Sequence, residues 1–270
     1  MVTGLNAFRD YFVDDTDKYV LIGGAACDIV FTSNDATFRA TKDLDMVLIV
    51  EALSPEFGEK FWKFIDEGGY ENCNTTSGKP QFFRFTEPKD PSYPKMIELF
   101  ARTEFPLREP NVLTPIHIDD DIASLSGILL NEDYYSVLLK GRTVIDGLSV
   151  LRPEYLILFK AKAYMDLKAK RDAGEEVHSS EFKKHKKDVL RIIVEMEVER
   201  TEGLPAAVLK DITDFISRLE NDPFDVNTLI NYGVTTEEVA GRLADPLMMR
   251  AGWMIFAPKG VGRMSSYGIK

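Results

Sequence analysis

Thiols and imidazoles are scarce: the chain has two cysteines and three histidines. A structural zinc site needs four such ligands at close spacing, and Cys27 and Cys73 make no such pattern, so zinc is not expected. Cys27 sits in an apolar run and reads as a small core residue. His117, in "PIHIDDD", has no ligand partner nearby. Also missing is an apolar run near the ~20 residues that a membrane span requires. The first residues, "MVTGLNAFRDYF", lack a basic stretch followed by an apolar one, so no signal peptide and a cytoplasmic location are expected. Positive charge is in deficit as well. The net charge of -11 over 270 residues gives no overall field to draw in nucleic acid or a membrane surface. Two lysine-rich runs in the second half, "KAKAYMDLKAKR" and "KKHKKDVLR", stand against that field, either as solvated helix faces or as a local basic patch.

What is present reads as one mixed α/β half and one helical half. "GLNAFRDYF" has helical spacing, and "KYVLI" is a short buried strand closed by Gly23-Gly24. "AACDIVF" continues as a helix and "DLDMVLIV" as a strand. "SPEFGEKFWKFIDEGGY" carries a complete set of helix signals: Ser54 as N-cap, Pro55 in the first turn, Gly68-Gly69 at the end. "QFFRFTE" and "KMIELFA" read as strands joined through "PKDPSYP", and "DIASLSGILL" as a helix. "TVIDGLSVL" reads as a short strand with turn signals. From Pro153 the pattern is helical, through "PEYLILFKAKAYMDLKAKR", "EFKKHKKDVLRIIVEMEVE", "PAAVLKDITDFISRLE" and "TTEEVAGRLA". The expected boundary lies near Leu151, giving domains of 1–151 and 152–270, with a loosely held Gly-, Ser- and Lys-rich tail.

Two carboxylates interrupt the start of an apolar strand. Residues two apart on a strand share a face, so Asp43 and Asp45 project together while Leu44, Met46 and Leu48 point the other way. Adjacent carboxylates disfavour joint ionisation unless a cation lies between them. Mg²⁺ takes hard oxygen ligands of this kind, commonly with substrate phosphates, and paired ions can clamp both oxygens of a phosphoryl or nucleotidyl transfer. Glu98 is the only acid inside "KMIELFA" and would be the third carboxylate if the two strands are neighbours. Gly23-Gly24 before a helix allows close approach of a phosphate to backbone, or is a plain strand-to-helix turn.

Gly23-Gly24, followed by Arg39-x-Thr41-x-Asp43-x-Asp45 and an isolated strand acid at Glu98, resembles the DNA polymerase beta nucleotidyltransferase superfamily, and within it the AbiEii-type toxin nucleotidyltransferases. The resemblance spans roughly residues 18 to 192. It implies an α+β nucleotidyltransferase fold, a small mixed sheet flanked by helices, followed by a helical bundle. It implies Asp43, Asp45 and Glu98 as catalytic residues and ligands of Mg²⁺ or Mn²⁺. Gly23, Gly24, Arg39, Thr41, Lys160, Lys187 and Asp188 would bind the NTP. The partners implied are an acceptor of unassigned class (RNA, protein or small molecule) and an antitoxin protein. Two positions depart from the family pattern. Ala25 stands where a serine is usual, and Arg191 where a second aspartate of the last motif is expected.

The helical half admits bland readings too. Lys160 shares an apolar stripe with Leu156, Ala163 and Leu167, so it either meets an anion such as a triphosphate or lies at the stripe's edge with its charge reaching water. Lys162 points elsewhere. His185 falls near the apolar face of Phe182, Val189 and Met196 and reads as a core or interface histidine. Asp188 either joins the site or pairs with a nearby cation. Asp119-Asp120-Asp121 reads as capping and solvation ahead of a helix. Two rival functions stay open: a small-molecule nucleotidyltransferase of the antibiotic-modifying kind, and a degenerate copy that only binds nucleotide or a partner.

Overall fold

The computed structural model describes residues 2–75, 81–102, 114–115, 128–129 and 131–245. A mixed α/β sheet flanked by helices is followed by a helical bundle. The elements of the first part are α1 (Leu5–Phe12), β1 (Tyr19–Leu21), α2 (Gly23–Ser33), β2 (Asp43–Leu48), α3 (Pro55–Gly68), β3 (Asn72–Thr75), β4 (Gln81–Thr86), β5 (Met96–Ala101), β6 (Thr114–Pro115), α4 (Glu132–Gly141), β7 (Arg142–Ile145) and β8 (Leu148–Leu151). The strands form one sheet in the order β6-β3-β4-β5-β2-β1-β8-β7. The bundle comprises α5 (Pro153–Asp172), α6 (Ser179–Glu195), α7 (Ala206–Arg218), α8 (Val226–Tyr232) and α9 (Thr236–Ala244).

Local signals explain most of these boundaries. The Ser54 hydroxyl accepts from the Phe57 amide at the start of α3, and Gly69 closes the helix in the left-handed conformation. "TVIDGLSVL" holds two strands rather than one. Asp146 and Gly147 both have positive φ, the conformation of a tight hairpin turn, and antiparallel β7 and β8 pair across it. The helix expected in "DIASLSGILL" falls mostly outside the described residues, as do His117, Asp119-Asp120-Asp121 and the C-terminal tail.

The two faces of the sheet differ in chemistry. One face is a dense aromatic core. Phe8 and Phe12 of α1 meet Tyr19 of β1, Phe12 meets Phe57, Phe61 and Phe64 of α3, and Phe61 and Trp62 meet Phe85 of β4. Each such ring contributes roughly 1.5–3 kcal/mol by burial. Strand alternation sends Leu44, Met46 and Leu48 to this side, since Leu48 lies opposite Tyr19 in the β1–β2 register. The other face, covered by α2 and α5, carries the polar residues. Among the described residues no helix is long and apolar enough to cross a membrane.

Candidate active site

Register brings the acids together. β2 and β5 are adjacent and parallel, with Asp45 directly opposite Glu98. The assumed adjacency of the two strands is therefore what the sheet contains. β4 lies on the far side of β5, and Arg84 is opposite Glu98 in turn. Side chains at paired positions share a face, so Asp43, Asp45, Glu98 and Arg84 stand on one side of three neighbouring strands. Arg84 donates from both Nε (2.9 Å) and Nη2 (2.7 Å) to one oxygen of Glu98. The sequence reading missed this arginine. The lone cation in "QFFRFT" was visible, but its partner is set by register, which the sequence leaves unspecified.

The glycine pair has a reason that lies inside the protein. Both residues open α2, and the Ile22 amide donates to the Asp45 carbonyl at 3.0 Å, so the helix start is tied to β2. Gly23 has φ +65, and a Cβ there would sit 1.8 Å from Asp45 Oδ2. A Cβ on Gly24 would sit 2.7 Å from Thr41 Oγ1. The missing side chains thus make room for a carboxylate and a hydroxyl of the Arg-x-Thr-x-Asp-x-Asp segment. The Asp45 carboxylate consequently rests against the positive end of α2.

Even so, Asp45 holds its proton more tightly than an ordinary carboxyl. Burial is the main cause, Glu98 repels its charge, and Asp43 adds to that repulsion. Burial also raises Glu98, against the pull of Arg84 and a hydrogen bond with Asp45. Both carboxyls are thus pushed toward their protonated forms, the direction expected for two close acids in a poorly solvated place. Among the described residues no group of three or more His, Cys, Asp and Glu side chains is gathered as a metal-binding set. Glu98 is held by Arg84 and by Asp45, so the three acids share a face without forming one ligand sphere. Asp43 and Asp45 alone still offer hard oxygen donors, with an excess of negative charge, to a divalent ion that completes its shell with phosphate and water.

The same cleft contains an ion triad whose members Asp188 and Lys160 are buried and Arg39 half-buried. Asp188 of α6 accepts from Arg39 Nε (3.0 Å) and Nη2 (2.9 Å) and from Lys160 Nζ of α5 (2.8 Å). Burial by itself would push the Asp188 carboxyl up; Lys160 and Arg39 overcome it and bring the pKa down to about 2. Burial pulls against the charge of Lys160 as well, and Asp188 outweighs it, so the ammonium stays charged. Lys160 does not sit at the edge of its stripe reaching water; it is buried and paired. Cys27 beside the triad is buried, its thiol pushed up to about 11 chiefly by burial, which suits a core residue.

One cleft of about 140 Å³ is lined by Gly23, Gly24, Arg39, Thr41, Asp43, Asp45, Glu98 and Lys160, together with Lys184 and His185 of α6. Lys187 is not among the residues that line this cleft: it is exposed and lines a different cavity. His185 is half-buried on the cleft wall. Arg191, at the position of the expected aspartate, pairs with Glu195, donates to the Thr37 carbonyl at 2.6 Å and lies over Phe31 and Phe38. It fastens the connection between α2 and β2 to α6. Ala25 is buried in the first turn of α2.

Compared with protein-family models and with curated proteins, the chain matches none.

Proposed function

We propose that the cleft is the active site of a metal-dependent nucleotidyltransferase, with the nucleotidyltransferase fold and the AbiEii-type kinship that the sequence resemblance implies. The observation that carries this reading is the pairing of Asp45 with Glu98 across β2 and β5, with the glycine start of α2 packed on Asp45. Asp43 and Asp45 would hold Mg²⁺ or Mn²⁺, which when bound neutralises charge on the phosphates of an NTP. Lys160 and Arg39 supply positive charge in the same cleft, and Asp188 fixes where both stand. Glu98, raised by burial and held by Arg84 through one oxygen only, is suited to take a proton from an acceptor hydroxyl on the other. At about 140 Å³ the cleft is smaller than the roughly 300–1,000 Å³ of whole-ligand pockets. A cleft of this size would take phosphate groups and a metal ion rather than a whole nucleotide. Under this reading the chain is the toxin of a toxin–antitoxin or phage-defence pair.

The Arg84–Glu98 ion pair favours one second reading, a chain that binds nucleotide without turning it over. Incubation with α-phosphate-labelled NTPs, Mg²⁺ or Mn²⁺, and separate RNA, protein and small-molecule fractions decides between them. Label should move to one fraction with the wild type and to none with Asp43→Asn/Asp45→Asn. Tight NTP binding with no transfer to any fraction would leave the binding-only reading.

A further inference from the structure

Across α6 from the cleft lies a second, larger cavity of about 1030 Å³. Its walls are α5, α6 and α7, closed by the 221–225 connection and the start of α8. Six cations line it: Lys168 and Arg171 of α5, Lys183, Lys186 and Lys187 of α6, and Arg218 of α7. Asp222 and Asp225 are the carboxylates in the lining, and Asp172, outside the lining, pairs with Lys168 and Arg218. Positive charge is therefore in clear surplus here, in a chain whose net charge is -11.

The cations divide into a floor and a rim. Lys186 is buried, and its three donors are spent on the Asp222 carbonyl, Asp222 Oδ1 (2.7 Å) and the Pro223 carbonyl (2.8 Å). It fixes the floor. Burial lowers its pKa, and Arg218 and Lys183 add repulsion that Asp222 does not fully offset. Lys183 and Lys187 have no salt bridge among the described residues, and Arg171 lies over the Phe182 ring at 5.3 Å. These three are the groups left to meet a ligand. The rings are not platforms for bases. Tyr164, Phe182 and Phe224 are buried, and cations already lie over each of them. Binding of a single nucleic-acid strand relies on exposed rings for stacking, which this lining does not offer.

We infer that this cavity is a binding site for a small molecule bearing two or more linked phosphates, separate from the candidate active site and independent of its assignment. The concave shape and a volume near the upper end of small-molecule pockets fit such a ligand. Arg171, Lys183 and Lys187, which form no salt bridge among the described residues although Lys187 lies in the field of Asp225, fit a multiply charged anion better than a single phosphate.

The test uses the full chain in chelator, so that the metal-dependent cleft makes no contribution. Calorimetric titration with pyrophosphate and tripolyphosphate should give saturable binding that exceeds that of orthophosphate and sulfate at equal ionic strength. Lys183→Gln/Lys187→Gln, both on the exposed side of α6, should weaken it by at least about tenfold, and Asp43→Asn/Asp45→Asn should leave it unchanged. Absence of binding, equal binding of sulfate, or full affinity in the lysine variant would overturn the site. A single-stranded oligonucleotide that competes more strongly than tripolyphosphate through the same lysines would overturn the small-anion assignment. Labelled-nucleotide transfer fails or succeeds separately, so the two readings fall independently.

Discussion

Asp188 shows how a single side chain can set the behaviour of a site it does not line. It pairs with two cations that stand in the cleft wall, leaving one positive charge over, and they bring its own pKa down to about 2. A depressed carboxyl stabilises the fold above its unfolded pKa, near 4, and loses that contribution as pH falls through about 2. The shift corresponds to roughly 2 kcal/mol. Replacing Asp188 with Asn should cost about 3–5 kcal/mol at neutral pH, because Lys160 stays buried without its counter-charge. In denaturant titrations the gap between wild type and variant should narrow from pH 5 toward pH 2. Lys160→Ala should destabilise for the same reason, where a bare lysine on an apolar stripe would have been a gain to remove. Asp45 has the opposite sign. Its carboxyl is raised, by burial and by Glu98, so its charge costs stability as pH rises to neutral. In chelator, Asp45→Asn should melt higher than the wild type at pH 7.5. Mg²⁺ or Mn²⁺ should raise the wild-type melting temperature but not that of Asp43→Asn/Asp45→Asn. A metal response that survives in the double variant would remove the aspartates as ligands.

Among the elements, α2 and its approach make the sharpest case. Gly24→Ala drives a Cβ against Thr41 Oγ1, at 2.7 Å, and should cost about 1 kcal/mol or more. Thr41→Ala opens the space, so the double variant should recover part of the loss, a coupling of at least about 0.5 kcal/mol in a double-mutant cycle. Strict additivity would mean the two do not touch in solution. Arg191→Ala frees the Thr37 carbonyl, and amides 36–41 should then exchange with deuterium about tenfold faster. Elements with matching local and tertiary preferences were legible: α3 through its caps, β2 and β5 through their apolar runs. β3, in "NCNT", was not, because its residues have little strand preference and its pairing with β4 makes the strand. α4 and α8 went unread although their caps, Asn131 and Asp225, were in plain view. The carboxylates and Lys160 were legible as misfits on apolar elements. What they touch was not, since Arg84 and Asp188 meet their partners through register and helix packing alone.

At the scale of the whole molecule, the sheet faces assign different tasks to the same strands. The aromatic side, under α1 and α3, is packed and dry. The polar side is where α5 and α6 close over β2, and both cavities border α6. One helix therefore presents Lys184 and His185 to the small cleft and Lys183, Lys186 and Lys187 to the large one.

The bond between Arg39 and Asp188 joins positions 149 residues apart, and that separation also has a meaning in time. A ribosome adds about 5–20 residues per second, so Asp188 is laid down roughly 7–30 s after Arg39. From the synthesis of Glu98 to that of Asp188 the nascent chain contains all three acids but has no Asp188 partner for Arg39 or, once it is made, for Lys160. The cleft is finished only as α6 leaves the exit tunnel, and a chain cut short before that helix carries the acids, Arg39 and Lys160 without the carboxylate that fixes the two cations.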